Sequence, residues 1–135
     1  MTLPVTAFVA AVCALLLLFT AILTVRQRLR LSAAFGDHGD AKLIAASRSH
    51  GNLAEHAPIV VILLGLLEMA RANHMALMMI GALFLIGRVA HIAGLHAPVE
   101  PGKPPVTRQI GVIATWATLV ALSGWTLWML ATQNL

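Results

Sequence analysis

Residues Leu3 to Val25 form a run of 23 without one charged side chain. At 1.5 Å per residue, a helix of that length covers the roughly 30 Å hydrocarbon core of a bilayer, so the start of the chain is committed to crossing a membrane. A second uncharged run, Ile110 to Leu135, predicts a matching last span. Composition agrees: 59% of the residues are hydrophobic and 10% charged, against about a quarter charged in soluble domains. Positive charge follows the first run, at Arg26, Arg28 and Arg30, whereas a cleaved signal peptide carries it in front. The first segment is therefore expected to be a permanent helix. Cys13 is the single cysteine, which excludes an intramolecular disulfide and reads as a small buried hydrophobe. The net charge of +4 comes from basic residues flanking apolar segments, not from a patch interleaved with aromatics, which argues against nucleic acid as a partner.

The middle of the chain is harder to place. Only 12 residues between Glu55 and Glu68, and 13 between His74 and Arg88, are uncharged, and both fall short of the roughly 20 that a spanning helix needs. Each helix must take in polar residues to reach across. The second then begins at or before Arg48 and ends near Ala70, and the third runs from about Met75 through Arg88 and His91. Gly36, Asp37, Gly39 and Asp40 mark a turn between the first two helices. The expected fold is a single all-α domain over residues 1–135, a transmembrane four-helix bundle with helices at about 3–30, 42–70, 75–96 and 107–133. Eight basic residues (Arg26, Arg28, Arg30, Lys42, Arg48, Arg88, Lys103 and Arg108) fall toward one side and only Arg71 toward the other. The positive-inside rule then places both termini on the non-cytoplasmic side of a multi-pass protein. Trp116, Trp125 and Trp128 are expected to anchor the last helix or to face lipid.

On the second helix Arg48, Asn52 and Glu55 are spaced i, i+4, i+7 and share a face, while Leu53, Ile59 and Val60 point elsewhere. Ionised groups inside a span are costly and need partners. They could pair with one another or with Arg88 and merely hold helices together, or they could form a site. On the third helix Arg88 and His91 stand at i, i+3, with Gly81, Gly87 and Gly94 allowing close helix contact. Arg88 is expected to be structural, as a partner of Glu55 or Glu68. Pro58 leaves the Ala54 carbonyl without its helical donor and is expected to kink the second helix. The histidines lack a zinc spacing, so no metal is expected. No serine or cysteine sits on a sharp turn as a nucleophile, and repeated helix pairs of a transporter are absent. Several arginines, an amide and a carboxylate suit a small ligand carrying both carboxylates and an amine.

Arg48-x-His50-x-Asn52-x-x-Glu55, followed by Pro58, resembles the second-helix signature of the membrane-associated proteins in eicosanoid and glutathione metabolism, the MAPEG family. Gly87 to His91, GRVAH, resembles the third-helix segment of its prostaglandin E synthase branch. The resemblance implies a homotrimer with glutathione as cosubstrate between neighbouring subunits, in a bacterial inner membrane or the endoplasmic reticulum. It implies that Arg48, His50, Asn52 and Glu55 hold the tripeptide's amine and carboxylates, with contacts from His56 and His91 and a carboxylate clamp from Arg26. Arg108, at the start of the fourth helix, would stabilise the glutathione thiolate. Leu95 stands where several active relatives place a tyrosine, and the third loop, with Pro98, Pro101, Pro104 and Pro105, is longer than in the eicosanoid enzymes. The expected function is a glutathione-dependent transferase or peroxidase acting on lipophilic electrophiles, with membrane lipids and a small lipophilic substrate that enters from the bilayer as its partners. The alternative is a non-catalytic lipid- or ligand-binding membrane protein on the same scaffold.

Overall fold

A computed structural model describes residues 2–98 and 103–133; Pro101 of the third loop lies outside the described residues. Four helices follow one another: α1 Pro4–Leu31, α2 Ala41–Met69, α3 His74–His96 and α4 Val106–Gln133. Each is long and apolar enough to cross a membrane. Even α3, with 23 residues, is about 35 Å long. The bounds agree with those expected from sequence to within about a residue. Α1 packs mainly on α2, and α3 on α4, with α2 touching all three others.

Local chemistry explains the helix ends. Pro4 occupies the first turn of α1, where a missing N–H is harmless. At the other end of α1, Ser32 takes a left-handed conformation and Ala33 N–H bonds the Arg28 carbonyl at 3.0 Å. The turn into α2 uses Gly36 and Gly39 at φ 71° and 69°, a region glycine enters without steric cost. Asp40 caps α2 by accepting from Leu43 N–H at 2.8 Å, and Asn73 caps α3 by accepting from Ala76 N–H at 3.0 Å. Arg30 reaches back across the turn to Asp40 at 2.6 Å, tying α1 to α2. With that guanidinium beside it and the Leu43 amide on its oxygen, the Asp40 carboxyl is held below the usual carboxylate range.

The core gathers one stripe from each helix: Val9 and Cys13, Leu53 with Val60 and Leu64, Phe84, and Leu122. Cys13 is buried, as expected, and Ile59 faces outward. Phe8, Leu15, Leu18, Phe19 and many other large hydrophobes remain exposed on the outside. On a soluble protein such a surface marks an interaction site; on spanning helices it is the face that meets acyl chains. Trp116 and Trp128 belong to that outer surface, whereas Trp125 packs on the core. Helix α2 is continuous through Pro58, so the proline neither ends nor divides it.

Close helix contact follows from the glycines. A Cβ on Gly87 would stand 2.7 Å from the Ala114 Cβ, and one on Gly81 2.8 Å from a Val9 methyl; both are closer than van der Waals contact allows. Gly94 likewise lies against the Arg108 backbone. The third and fourth helices are thereby drawn together at the end where the polar residues gather.

Candidate functional site

Successive residues of the polar half of α2 point different ways. Ser49 is buried and turned inward, His50 is half-buried, and Arg48 and Glu55 are exposed. His50 Nδ1 lies 3.1 Å from the Thr20 hydroxyl on α1, where Thr20 is itself fully buried, so this ring links α1 to α2. Asn52 donates its amide to the Arg48 carbonyl at 3.0 Å. His56 Nδ1 lies 2.6 Å from the Asn52 carbonyl. A carbonyl only accepts, so Nδ1 carries the proton and Nε2 of the neutral ring is left with its lone pair.

Arg88 and His91 are 2% and 4% exposed, inside the seam between α3 and α4. Arg88 donates to the Gly111 carbonyl at 2.9 Å and to the Thr115 hydroxyl, with its guanidinium 5.7 Å from the Phe84 ring centre. This corrects the expectation that Arg88 pairs with Glu55 or Glu68: one guanidinium nitrogen is taken up by helix α4, one turn of which is opened to it by a glycine, while the buried Nε has no partner among the described residues. Glu68 is occupied elsewhere. It accepts from the Val5 and Thr6 amides at 3.0 and 2.9 Å and from the Thr6 hydroxyl at 2.7 Å, with His74 at 3.8 Å. A carboxylate from α2 therefore caps the start of α1, which has no side-chain cap of its own. Among the described residues the close acid–base contacts are Arg30–Asp40 and Glu68–His74. Arg48 and Glu55 make no ion pair with each other or with Arg88.

His91 Nδ1 faces the Arg108 carbonyl at 3.4 Å, and its Nε2 is a buried atom without a partner. His91 thus belongs to the seam that seats the first turn of α4, not to the open face of Arg48, Asn52 and Glu55. Arg26 is exposed on α1 and does not line the cleft described next.

Arg48 of α2 and Arg108 of α4 line one cleft of about 550 Å³. Lys42, His96, Leu95 and Pro98 contribute to its walls. Residues 48 and 108, separated by 60 positions of sequence, thus meet at one end of the bundle, because α2 starts, α3 ends and α4 starts there.

The chain matches the MAPEG family over residues 6–128, nearly its whole length. It belongs to the MAPEG family. Its similarity extends to the inner membrane protein YecN of Escherichia coli strain K12, at 34% identity over 124 residues, covering 92% of this chain and 91% of that protein. The YecN of Escherichia coli O6:H1 matches to the same extent. No solved structure matches. Four spanning helices and this kinship make the present MAPEG chain an integral, multi-pass membrane protein.

Sequence reasoning missed three features of this MAPEG chain. The Glu68 cap on α1 and the Thr20–His50 link both join residues distant in sequence, and a single sequence carries no trace of such pairings. Lys42 and His96 also went unnoticed as cleft residues, although their places at the first turn of α2 and the last turn of α3 were a signal: these helix ends adjoin Arg48 and Arg108 once the bundle is folded.

Proposed function

We propose that this protein is a membrane-embedded, glutathione-dependent transferase or peroxidase acting on lipophilic electrophiles. The observation that carries this is the meeting of Arg48 and Arg108 in one cleft, beside an exposed face that also offers Asn52 and Glu55. The donor set fits the tripeptide. Guanidinium groups suit its two carboxylates, with Arg26 as the further clamp, and the unpaired Glu55 suits its ammonium. Arg48 and Glu55 are seven residues apart, an axial rise of about 10 Å, and three extended residues also span about 10 Å. His50 and His56 flank this face as secondary contacts, and His91, buried in the seam behind it, acts by seating the first turn of α4 that carries Arg108.

Bound glutathione would supply the nucleophilic thiol. The protein's part is to hold it and to favour its ionised form. A cysteine thiol with a pKa of about 8.5 is only a few per cent ionised near neutral pH. A guanidinium such as Arg108 beside the sulfur stabilises the anion, and each pKa unit, about 1.4 kcal/mol, raises the reactive fraction almost tenfold. The second substrate, an electrophilic carbon or a peroxide, enters from the surrounding lipid.

Exposed Arg48 and Glu55 also support association with further copies of the chain, a homotrimer if the family resemblance holds for assembly. An ionised side chain facing hydrocarbon near mid-span costs about 2.5–3.5 kcal/mol on insertion scales, and covering that face with a neighbouring copy removes the exposure. The basic loops favour a cleft on the cytoplasmic side with both termini opposite, in a bacterial inner membrane as the kinship with YecN suggests. Leu95, which lines the cleft without a hydroxyl to offer, favours the second possibility, a non-catalytic ligand-binding protein on this scaffold.

Ultraviolet spectroscopy of detergent-purified protein tests the proposal. Adding glutathione is expected to produce a thiolate band in the wild type and none in Arg108→Ala, whose catalytic efficiency falls about 10- to 100-fold, equivalent to roughly 1.4–2.8 kcal/mol. An absence of glutathione binding at millimolar concentration overturns it.

A further inference from the structure

Two polar side chains of the cleft have no part in the chemistry above. Lys42 stands on the first turn of α2 and His96 closes α3, and both line the same cleft as Arg48 and Arg108. His96 Nε2 lies 3.3 Å from the Ser49 hydroxyl. That hydroxyl is buried and donates its one proton to the Ala45 carbonyl at 2.8 Å, so its oxygen accepts from His96 and orients the ring at the cleft wall. The rest of the lining is apolar, including Ile44, Ala45 and Leu95. No carboxylate lines the cleft among the described residues. Asp40, two residues from Lys42, is held by Arg30 at 2.6 Å and by the Leu43 amide. A zwitterionic peptide needs an acid for its amine, and Glu55 is outside this lining. The cleft by itself therefore suits an anion joined to an apolar tail.

Its depth suits the same ligand. Helix α2 starts at Ala41, α3 ends at His96 and α4 starts at Val106, so Lys42 and His96 lie at the ends of spans, at the level of lipid headgroups. Arg48 is six residues, about 9 Å, further in. The Lys42 ammonium at the rim with aliphatic side chains beneath it matches a phosphate joined to acyl chains, and this apolar lining sets such a lipid apart from free phosphate.

We propose that this cleft binds the phosphodiester headgroup of an anionic membrane lipid, with Lys42 on the phosphate, the His96 ring walling that end of the cleft, and the acyl portion against Ile44, Ala45 and Leu95. This ligand shares its cleft with Arg48 and Arg108 of the glutathione proposal, and its binding stands whether or not glutathione binds. A basic side chain near a headgroup is worth about fivefold in affinity.

The experiment uses the full chain in detergent, with native mass spectrometry counting bound lipid after addition of dioleoyl phosphatidylglycerol, dioleoyl phosphatidylcholine or inorganic phosphate. The wild type is expected to retain phosphatidylglycerol in preference to phosphatidylcholine. Lys42→Ala is expected to lose about fivefold, and Lys42→Arg to bind like the wild type, which separates lost charge from misfolding. Equal retention of the two lipids overturns the proposal, as does full phosphatidylglycerol binding in the Lys42→Ala, His96→Ala double variant. Displacement of the lipid by inorganic phosphate at matching concentration overturns the lipid assignment. Glutathione binding measured on the same samples distinguishes the two proposals: lipid selectivity that depends on Lys42 in a protein that does not bind glutathione supports this site and removes only the enzymatic one.

Discussion

Glu55 and Glu68 lie on the same helix, 13 residues apart, and meet opposite surroundings. Glu68 has a side chain only 7% exposed and both oxygens engaged by the first turn of α1. Glu55 is exposed and makes no hydrogen bond or ion pair among the described residues. The difference teaches how to tell a structural charge from a functional one inside a membrane. A carboxylate whose acceptor capacity is filled by the protein has nothing left for a ligand. One left open on a spanning helix is a cost with no return inside the subunit, and it points outward to a ligand or a second copy.

The largest effect expected from this contrast is on stability. Glu68→Ala removes a charged acceptor and leaves two amides and a hydroxyl of α1 without partners, a loss of about 3 kcal/mol. Thermal melting in detergent is expected to fall by several degrees, and Glu68→Gln, which keeps one acceptor oxygen, by less. Glutathione affinity of the folded fraction should not change. Were Glu68→Ala to melt like the wild type, the carboxylate would have no claim to hold α1 and the contrast with Glu55 would vanish.

Most of the fold was legible because its controlling variable, the length of uncharged segments, is a property of the chain itself. Both short apolar runs demanded polar completion, and this alone put Arg48 and Arg88 inside helices. The spacing of Arg48, Asn52 and Glu55 placed them on the outer face of α2, as the structure does. The convergence of Arg48 with Arg108 followed from orientation, since an even number of crossings separates them. Pair partners were not legible. Arg88 had two acids to choose from in sequence, and in the structure a carbonyl and a hydroxyl of α4 took both places, because Gly87 and Gly111 bring that backbone within reach. His91 was expected at the ligand face and lies in the α3–α4 seam, since a face is set by neighbours that periodicity does not see.

A second, smaller effect concerns Glu55. Replacing it with Gln keeps the shape and removes a charge that costs stability on a spanning helix, so melting should not fall below the wild type. Glutathione affinity, measured by calorimetry, is expected to drop roughly tenfold, the loss of a charge-assisted contact worth about 1.5 kcal/mol. Unchanged affinity with lowered melting would reverse the comparison, making Glu55 the structural acid.

Asp40 supplies the smallest effect and a control, being a third carboxylate, at the cap of α2, whose partner Arg30 is exposed. Its Oδ1 accepts from Arg30 at 2.6 Å and from the Leu43 amide at 2.8 Å, and these partners, the arginine foremost, lower its pKa. The sign follows directly. A carboxyl whose pKa is depressed on folding adds stability that is complete above the unfolded value, about 3.9, and is lost as pH falls through the lower folded value. The Leu43 amide resonance should therefore hold its position from neutral pH down past pH 4 and shift only below it. In Arg30→Ala the midpoint should rise back toward the ordinary aspartate value, while the Leu43 contact, which is local to the helix cap, persists. A midpoint unmoved by that substitution would show that the helix N-terminus alone sets the charge of Asp40, and that the bridge from α1 to α2 across the turn contributes nothing.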